Sequence, residues 1–313
     1  MEKKIQHIPV LLQESITALN IKNDGFYVDA TFGMGGHSKA ILSCLGKKGK
    51  LIAIDCDPYS IDFSRTIKDS RFSIIHGQFS SIENYLLKRK LHGKINGILF
   101  DLGMSSMQVD DPLRGFSFLN NGNLDMRMNP SYGLSAKEKL KYAKEEEICW
   151  ILKTYGEEKF AKKIAREIFL YNQKNTISTT KELTNIVIKS IRFNKKLLRH
   201  PATRTFQAIR IWVNNELNEL KTALKKTSAI LAPYGRLVII SFHSLETRII
   251  KEIILEKNNI VNIPKNIPLY SKQLISLEKN FKILPKIKPS KQEIANNPRS
   301  RSAILRIAEK LKK

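Results

Sequence analysis

Through the first third of the chain, short apolar runs rich in β-branched and aromatic residues alternate with stretches whose apolar positions recur at helical spacing. The runs at 26–31, 50–55, 72–79 and 95–102 predict strands, and the stretches at 38–45 and 58–67 predict helices between them. Such βαβα alternation calls for a parallel sheet covered on both faces. The next strong strand, RLVIISFH at 236–243, arrives more than 130 residues later. The intervening chain reads as helical. Capping boxes open two of its helices, Ser135 with Glu138 and Thr179 with Glu182, and Gly156 reads as a helix stop. After Pro201, the residues Phe206, Ile209, Val213, Leu217, Leu220 and Leu224 fall on one face of a single long helix. Beyond 243 follow a helix at 246–257, a connection rich in Pro and Lys, and RSAILRIAEK, which predicts an antiparallel edge strand. The expected fold is α/β: a doubly wound, mostly parallel sheet with an inserted α-helical domain. The boundaries are 1–109 for the first part of the sheet domain, 110–205 for an inserted substrate-recognition domain and 206–313 for the second part.

Composition adds two things. Hydrophobic residues at 42% and charged residues at 27% suit a chain with a sizeable core, and exclude wholesale disorder. The net charge of +25 favours a polyanionic partner, although enrichment in Lys, Ile and Asn could be compositional drift unrelated to ligand. Three widely spaced cysteines, Cys44, Cys56 and Cys149, offer neither a metal knuckle nor a CxxC pair, and read as reduced cytosolic thiols. No metal is expected. The N-terminal stretch has no signal-peptide core, and no run is long enough to span a membrane.

The candidate chemistry lies at strand ends. DATFGMGGHSKAIL (29–42) carries an acid from the first strand into a loop with Gly33, Gly35 and Gly36 ahead of a helix. This is the first βα loop of an α/β sheet, where backbone can approach a ligand, but the third glycine of the dinucleotide pattern is missing. Asp55 closes the second strand 22 residues after Gly33, where a carboxylate can accept both ribose hydroxyls of an adenosine cofactor or act as a helix N-cap. These features fit nicotinamide enzymes and methyltransferases alike. Phe79, in HGQF after the third strand, is either an adenine platform or core. Asp101 ends the apolar strand GILFD, where a carboxylate is costly to bury without a function or partner.

Taken together, HIPVLLQESI (7–16), DATFGMGGHS (29–38), AIDCDP (53–58), DLGMSSMQVDDPLRGFSF (101–118), LDMRM (124–128), SFHSLE (241–246) and NPRSRSAILR (297–306) resemble the ribosomal RNA small-subunit methyltransferase H family, RsmH, also called MraW. The resemblance runs nearly end to end and in order. It implies a Rossmann-like class I methyltransferase fold and S-adenosyl-L-methionine as cofactor. It further implies methylation of the exocyclic N4 of a cytidine in the decoding region of 16S rRNA, with the small ribosomal subunit as partner, in the cytoplasm; a homodimer is left open. The family's cofactor contacts fall on Gly35, Gly36, His37, Asp55, Phe79, Asp101 and Gln108. The last of these reads, by itself, as a solvated loop residue. The cofactor's methionyl carboxylate is the anion expected near the start of the helix after the glycines.

For transfer to an amine, Asp101 is the candidate catalytic acceptor of the N4 proton, with a purely cofactor-binding role as the alternative. Its neighbourhood reads DLGM, without the prolines and aromatic that DNA amino-methyltransferases place there. Asp125 and His243 are weaker candidates. RHPATRTFQAIR (199–210) and NPRSRS offer arginines to RNA phosphates, and Phe116 or Phe118 could support a flipped cytosine. Two rival readings remain. One is a nicotinamide oxidoreductase, supported by Tyr155 and Lys159 in YxxxK spacing but interrupted by Gly156; the other is an RNA-binding protein without catalysis.

Overall fold

The structure is a computed structural model describing residues 8–191, 200–257 and 280–312. It divides into two compact units. One comprises Met1–Gly103 with Leu217–Lys313, and the other Met104–Glu216. The expected insertion had been bounded at 110 and 205.

The first unit opens with α1 (Leu12–Leu19), β1 (Phe26–Asp29), α2 (Gly36–Cys44), β2 (Lys50–Asp55), α3 (Pro58–Ser64), β3 (Phe72–His76), α4 (Ile82–Lys88) and β4 (Ile95–Asp101). The second unit holds α5 (Ser106–Asp110), α6 (Ala136–Tyr142), α7 (Glu145–Gly156), α8 (Ala161–Lys174), α9 (Thr180–Ser190) and α10 (Ala202–Asn214). The chain then continues as α11 (Glu216–Ile230), β5 (Leu231–Ser241), α12 (Ser244–Lys257), β6 (Phe281–Ile287), α13 (Lys291–Asn296) and β7 (Ile304–Lys310).

The strands form one sheet in the order β3-β2-β1-β4-β5-β7-β6. The first five are mutually parallel, while β7 runs antiparallel to both β5 and β6. The doubly wound, mostly parallel reading therefore holds. Its last strand differs from expectation: β7 is interior, hydrogen-bonded on both sides, and β6 is the edge. The edge strand FKILPKI carries Pro285 and two exposed lysines, a composition that discourages further pairing. Each face of the sheet has its own apolar layer. Val28, Ile52, Ile98, Phe100 and Ile239 point to one, and Tyr27, Leu51, Leu99, Val238 and Ile240 to the other. This is the period-two alternation of a sheet buried on both sides.

Both expected capping boxes form in the helical unit, on Ser135 with Glu138 and Thr179 with Glu182. The expected long helix after Pro201 does not. It breaks at Asn215, which adopts the left-handed conformation (φ 53°) and ends α10, so Phe206 and Ile209 pack in the helical core while Leu220 and Leu224 pack under the sheet. Asparagine tolerates that backbone region better than most residues. The helix stop expected at Gly156 holds: it is the last residue of α7, with Glu157 taking the left-handed cap. A Cβ at Gly156 would lie 2.7 Å from the Arg204 carbonyl oxygen, so glycine here lets α10 approach α7. The Pro- and Lys-rich connection expected after α12 lies outside the described residues as far as 279; from 280 it is not a plain connection, since it holds β6 and α13, whose short exposed runs carry no strong apolar pattern.

Candidate functional site

Strand order reverses between β1 and β4, and in open α/β sheets the ligand crevice lies beyond the carboxyl ends at that point. Asp29, Asp55 and Asp101 end β1, β2 and β4 in turn. The glycine loop is tied to the second of these: the Gly33 N–H donates to Asp55 Oδ2 (2.7 Å) and the Asp57 N–H to Asp55 Oδ1 (2.9 Å). Asp55 is not a helix cap. That task falls to Asp57, whose carboxylate accepts from Tyr59 N–H at the start of α3.

The loop is also tied to the first and fourth strands. Ser38 Oγ donates to Asp29 Oδ2 (2.6 Å), Thr31 N–H donates to Asp29 Oδ1 (3.2 Å), and Asp101 N–H donates to Thr31 Oγ1 (2.7 Å). His37 is buried at the head of α2. Its Nε2 lies 3.1 Å from the Val10 carbonyl oxygen, which can only accept, so the proton sits on Nε2 and Nδ1 is turned toward Asp101 Oδ2 at 3.7 Å. The other carboxyl oxygen, Asp101 Oδ1, is buried with no hydrogen-bond partner. An orphaned carboxyl oxygen is uncommon and marks a place where a partner is to be supplied.

The electrostatics agree. Burial, with Asp29 and Glu246 nearby, pushes the Asp101 carboxyl well above the usual carboxylate range. Burial likewise raises Asp55, and brings Asp29 up to about 6 against the hydrogen bonds from Ser38 and Thr31. Cys56 is pushed up to about 12 by burial and by Asp55 and Asp57, which leaves its thiol protonated and inert. Acids crowded so closely favour a cation among them and disfavour a pyrophosphate.

The remaining expected contacts divide between the units. Phe79 begins a short 3-10 turn just past β3, three residues beyond the strand end expected to include it, and packs half-buried and edge-on against Phe100, with ring centroids 5.7 Å apart. Gln108 belongs to the helical unit. It is no solvated loop residue: it is buried and closes a capping box at α5, its Oε1 accepting from Ser105 N–H (3.0 Å) and its own N–H donating to Ser105 Oγ. The Ser-x-x-Gln spacing was the available signal.

The weaker candidates have structural partners. Asp125 forms a two-pronged ion pair with Arg127 (2.9 and 2.7 Å) in the helical unit. His243 Nε2 stands 3.1 Å from Glu246 Oε1, off the angle of a hydrogen bond, while its Nδ1 accepts from Glu246 N–H (3.4 Å) and Glu246 Oε2 accepts from the backbone N–H of Phe242 (2.7 Å). Phe116 is buried, and Phe118 is stacked on His200 and edge-on to Phe206. Arg210 is paired with Glu216, Arg299 and Arg301 are exposed, and Arg199 lies outside the described residues. Among the described residues, no cluster of His, Cys, Asp or Glu could hold a metal ion, and no helix is long and apolar enough to cross a membrane.

A mostly parallel sheet with a glycine loop after its first strand and an acid at the tip of its second is the arrangement shared by α/β enzymes that take adenosine cofactors. Within that class, the chain belongs to the MraW methylase family, which matches residues 4–311. It is therefore an S-adenosylmethionine-dependent methyltransferase acting on ribosomal RNA, and the nicotinamide and non-catalytic readings fall away. Distant solved structures also overlap it. One is a candidate rRNA-methylase from Clostridium thermocellum (14% identity, 98% of this chain and 100% of that one, TM-score 0.44). Another is a candidate methyltransferase from Streptococcus mutans in complex with SAH (14% identity, 97% and 100%, TM-score 0.43). The family match carries the assignment.

Proposed function

We propose that this protein methylates the exocyclic N4 of a decoding-region cytidine in 16S rRNA, with Asp101 as the catalytic residue. The observation that carries the reading is the buried, partnerless Oδ1 of Asp101 at the carboxyl end of β4. S-adenosylmethionine, when bound, supplies a methyl group already activated on sulfur. The protein's part is therefore alignment and proton handling.

Asp55, anchored by Gly33 and Asp57 through one lone pair on each oxygen, keeps capacity to accept the ribose hydroxyls. Phe79 offers an apolar face to the adenine. Gly35 takes a left-handed backbone (φ 69°), Gly36 leaves room for Pro9, and the head of α2 at these glycines suits the methionyl carboxylate. Gln108 completes the contact set that the family resemblance implies. Asp101 holds one N–H of the cytosine amine, which favours the pyramidal nitrogen, and takes the proton once the N–C bond has formed. A positive charge held near Asp29 and Asp101 would favour their ionised forms, which for Asp101 is the form that accepts a proton.

The substrate RNA is met by the positive charge of the chain, including the exposed Arg299 and Arg301, and the helical unit contributes substrate recognition. Incubating the protein and labelled cofactor with small ribosomal subunits from cells lacking the activity tests the reading. Label on N4 of one decoding-region cytidine is expected. Label on another atom or another RNA would overturn it.

A further inference from the structure

Two sequence blocks far apart along the chain, at 8–11 and 293–297, meet beside the glycine loop. The short segment Ile8–Leu11 lies against it: a Cβ on Gly36 would overlap Pro9 Cγ, and the Val10 carbonyl takes the His37 Nε2 proton. This segment belongs to no strand, and Leu11 at its end is left-handed (φ 51°) without a side-chain cap for α1. Something else must hold it. The Leu11 N–H donates to Glu293 Oε1 (2.7 Å), and Asn297 Nδ2 donates to the Ile8 carbonyl oxygen (2.9 Å). The two bonds bracket Pro9 and Val10, the residues that touch the loop.

The holder is itself rigid. Asn297 is buried, its N–H donates to the Glu293 carbonyl, and its own carbonyl accepts both N–H and Oγ–H of the fully buried Ser300. Two residues past the turn at 298–302 the chain enters β7 in the interior of the sheet. We infer that Glu293 and Asn297 are positioning residues for the cofactor loop, acting through Ile8–Leu11 to fix Gly36 and the His37 ring. The inference rests on the reading of that loop as the cofactor's. It gives the NPRSRS block a second role besides presenting arginines.

Calorimetric binding of S-adenosylmethionine to Glu293→Ala, Glu293→Gln and Asn297→Ala tests it. Loss of one such hydrogen bond is expected to weaken binding about fivefold in each alanine variant. Glu293→Gln keeps an acceptor oxygen and should bind like the parent. Amide hydrogen exchange without ligand is the second measurement: it should quicken at 8–11 and at 33–38 together in both alanine variants. Unchanged affinity in folded variants, or quickened exchange confined to 8–11, would overturn the inference. Should one alanine variant fail to fold, the other carries the test. If the parent itself does not bind the cofactor, the proposed reading of the site falls, while the exchange measurement still judges the brace.

Discussion

The helical unit and the strand ends of the sheet unit use carboxylates in opposite ways. In the helical unit, Asp125 meets Arg127 as a fork, and Glu138 reaches back to Ser135 N–H and Oγ, which holds its pKa below the usual range. At those strand ends, Asp29, Asp55 and Asp101 are raised by burial first and then by neighbouring acids: Asp55 for Asp29, Asp57 for Asp55, and Asp29 and Glu246 for Asp101. Acids with their partners in place serve the fold; acids crowded together at strand ends store an interaction that a cation can complete.

The sharpest way to break this comparison is to substitute one acid from each unit. Asp101→Asn should lower methyl transfer at saturating cofactor by about 10²- to 10⁴-fold, the usual range for a lost proton acceptor, while the protein stays folded. Asp125→Asn should leave transfer near the parent value and cost about 1 kcal/mol of stability in denaturant unfolding. Equal activity losses in both would erase the distinction.

The next largest effect concerns pH. The folded-state pKa of Asp29, about 6, lies above that of an unfolded aspartate, so the protonated form favours the fold. Its stabilising contribution is complete below about pH 4 and vanishes as pH rises through about 6, amounting to ~3 kcal/mol for a shift of this size. Asp29→Asn should flatten the fall in unfolding free energy across that window. Glu138, shifted down, contributes with the opposite sign: its stabilisation is present above the ordinary carboxylate pKa and lost in acid.

A packing change in the helical unit comes third. Gly156→Ala forces α7 and α10 apart and should cost about 1 to 3 kcal/mol by denaturation, with cofactor affinity unchanged well below the unfolding transition. The smallest effect is expected from Arg299→Ala combined with Arg301→Ala. Affinity for small ribosomal subunits should fall a few-fold and become less salt-dependent by a slope of about 2. An unaltered salt slope would remove the turn from the RNA surface.

Much of the architecture was legible because its causes are local. Apolar runs located β1 to β5, Ser-x-x-Glu and Thr-x-x-Glu spacings located two helix starts, and the glycine loop followed by Asp55 marked the carboxyl ends of the strands as the candidate site. Where the reading failed, the deciding interaction was remote. Periodicity runs unbroken through Asn215, yet the two halves of that face bury in different cores. The RSAILRIAEK strand has the same pattern at an edge as in an interior, and only its pairing with both β5 and β6 makes it interior.

The sequence by itself thus determined the parallel strands β1 to β5, several helix starts and the identity of the acids at the strand ends, since helix and strand periods, caps and turn residues act over a few positions. Only the tertiary structure decided which acids are left without partners, and that Glu293 and Asn297 reach across more than 280 residues to hold the segment lying on the glycine loop. Burial and long-range hydrogen bonding depend on which surfaces meet, and no local pattern encodes that meeting.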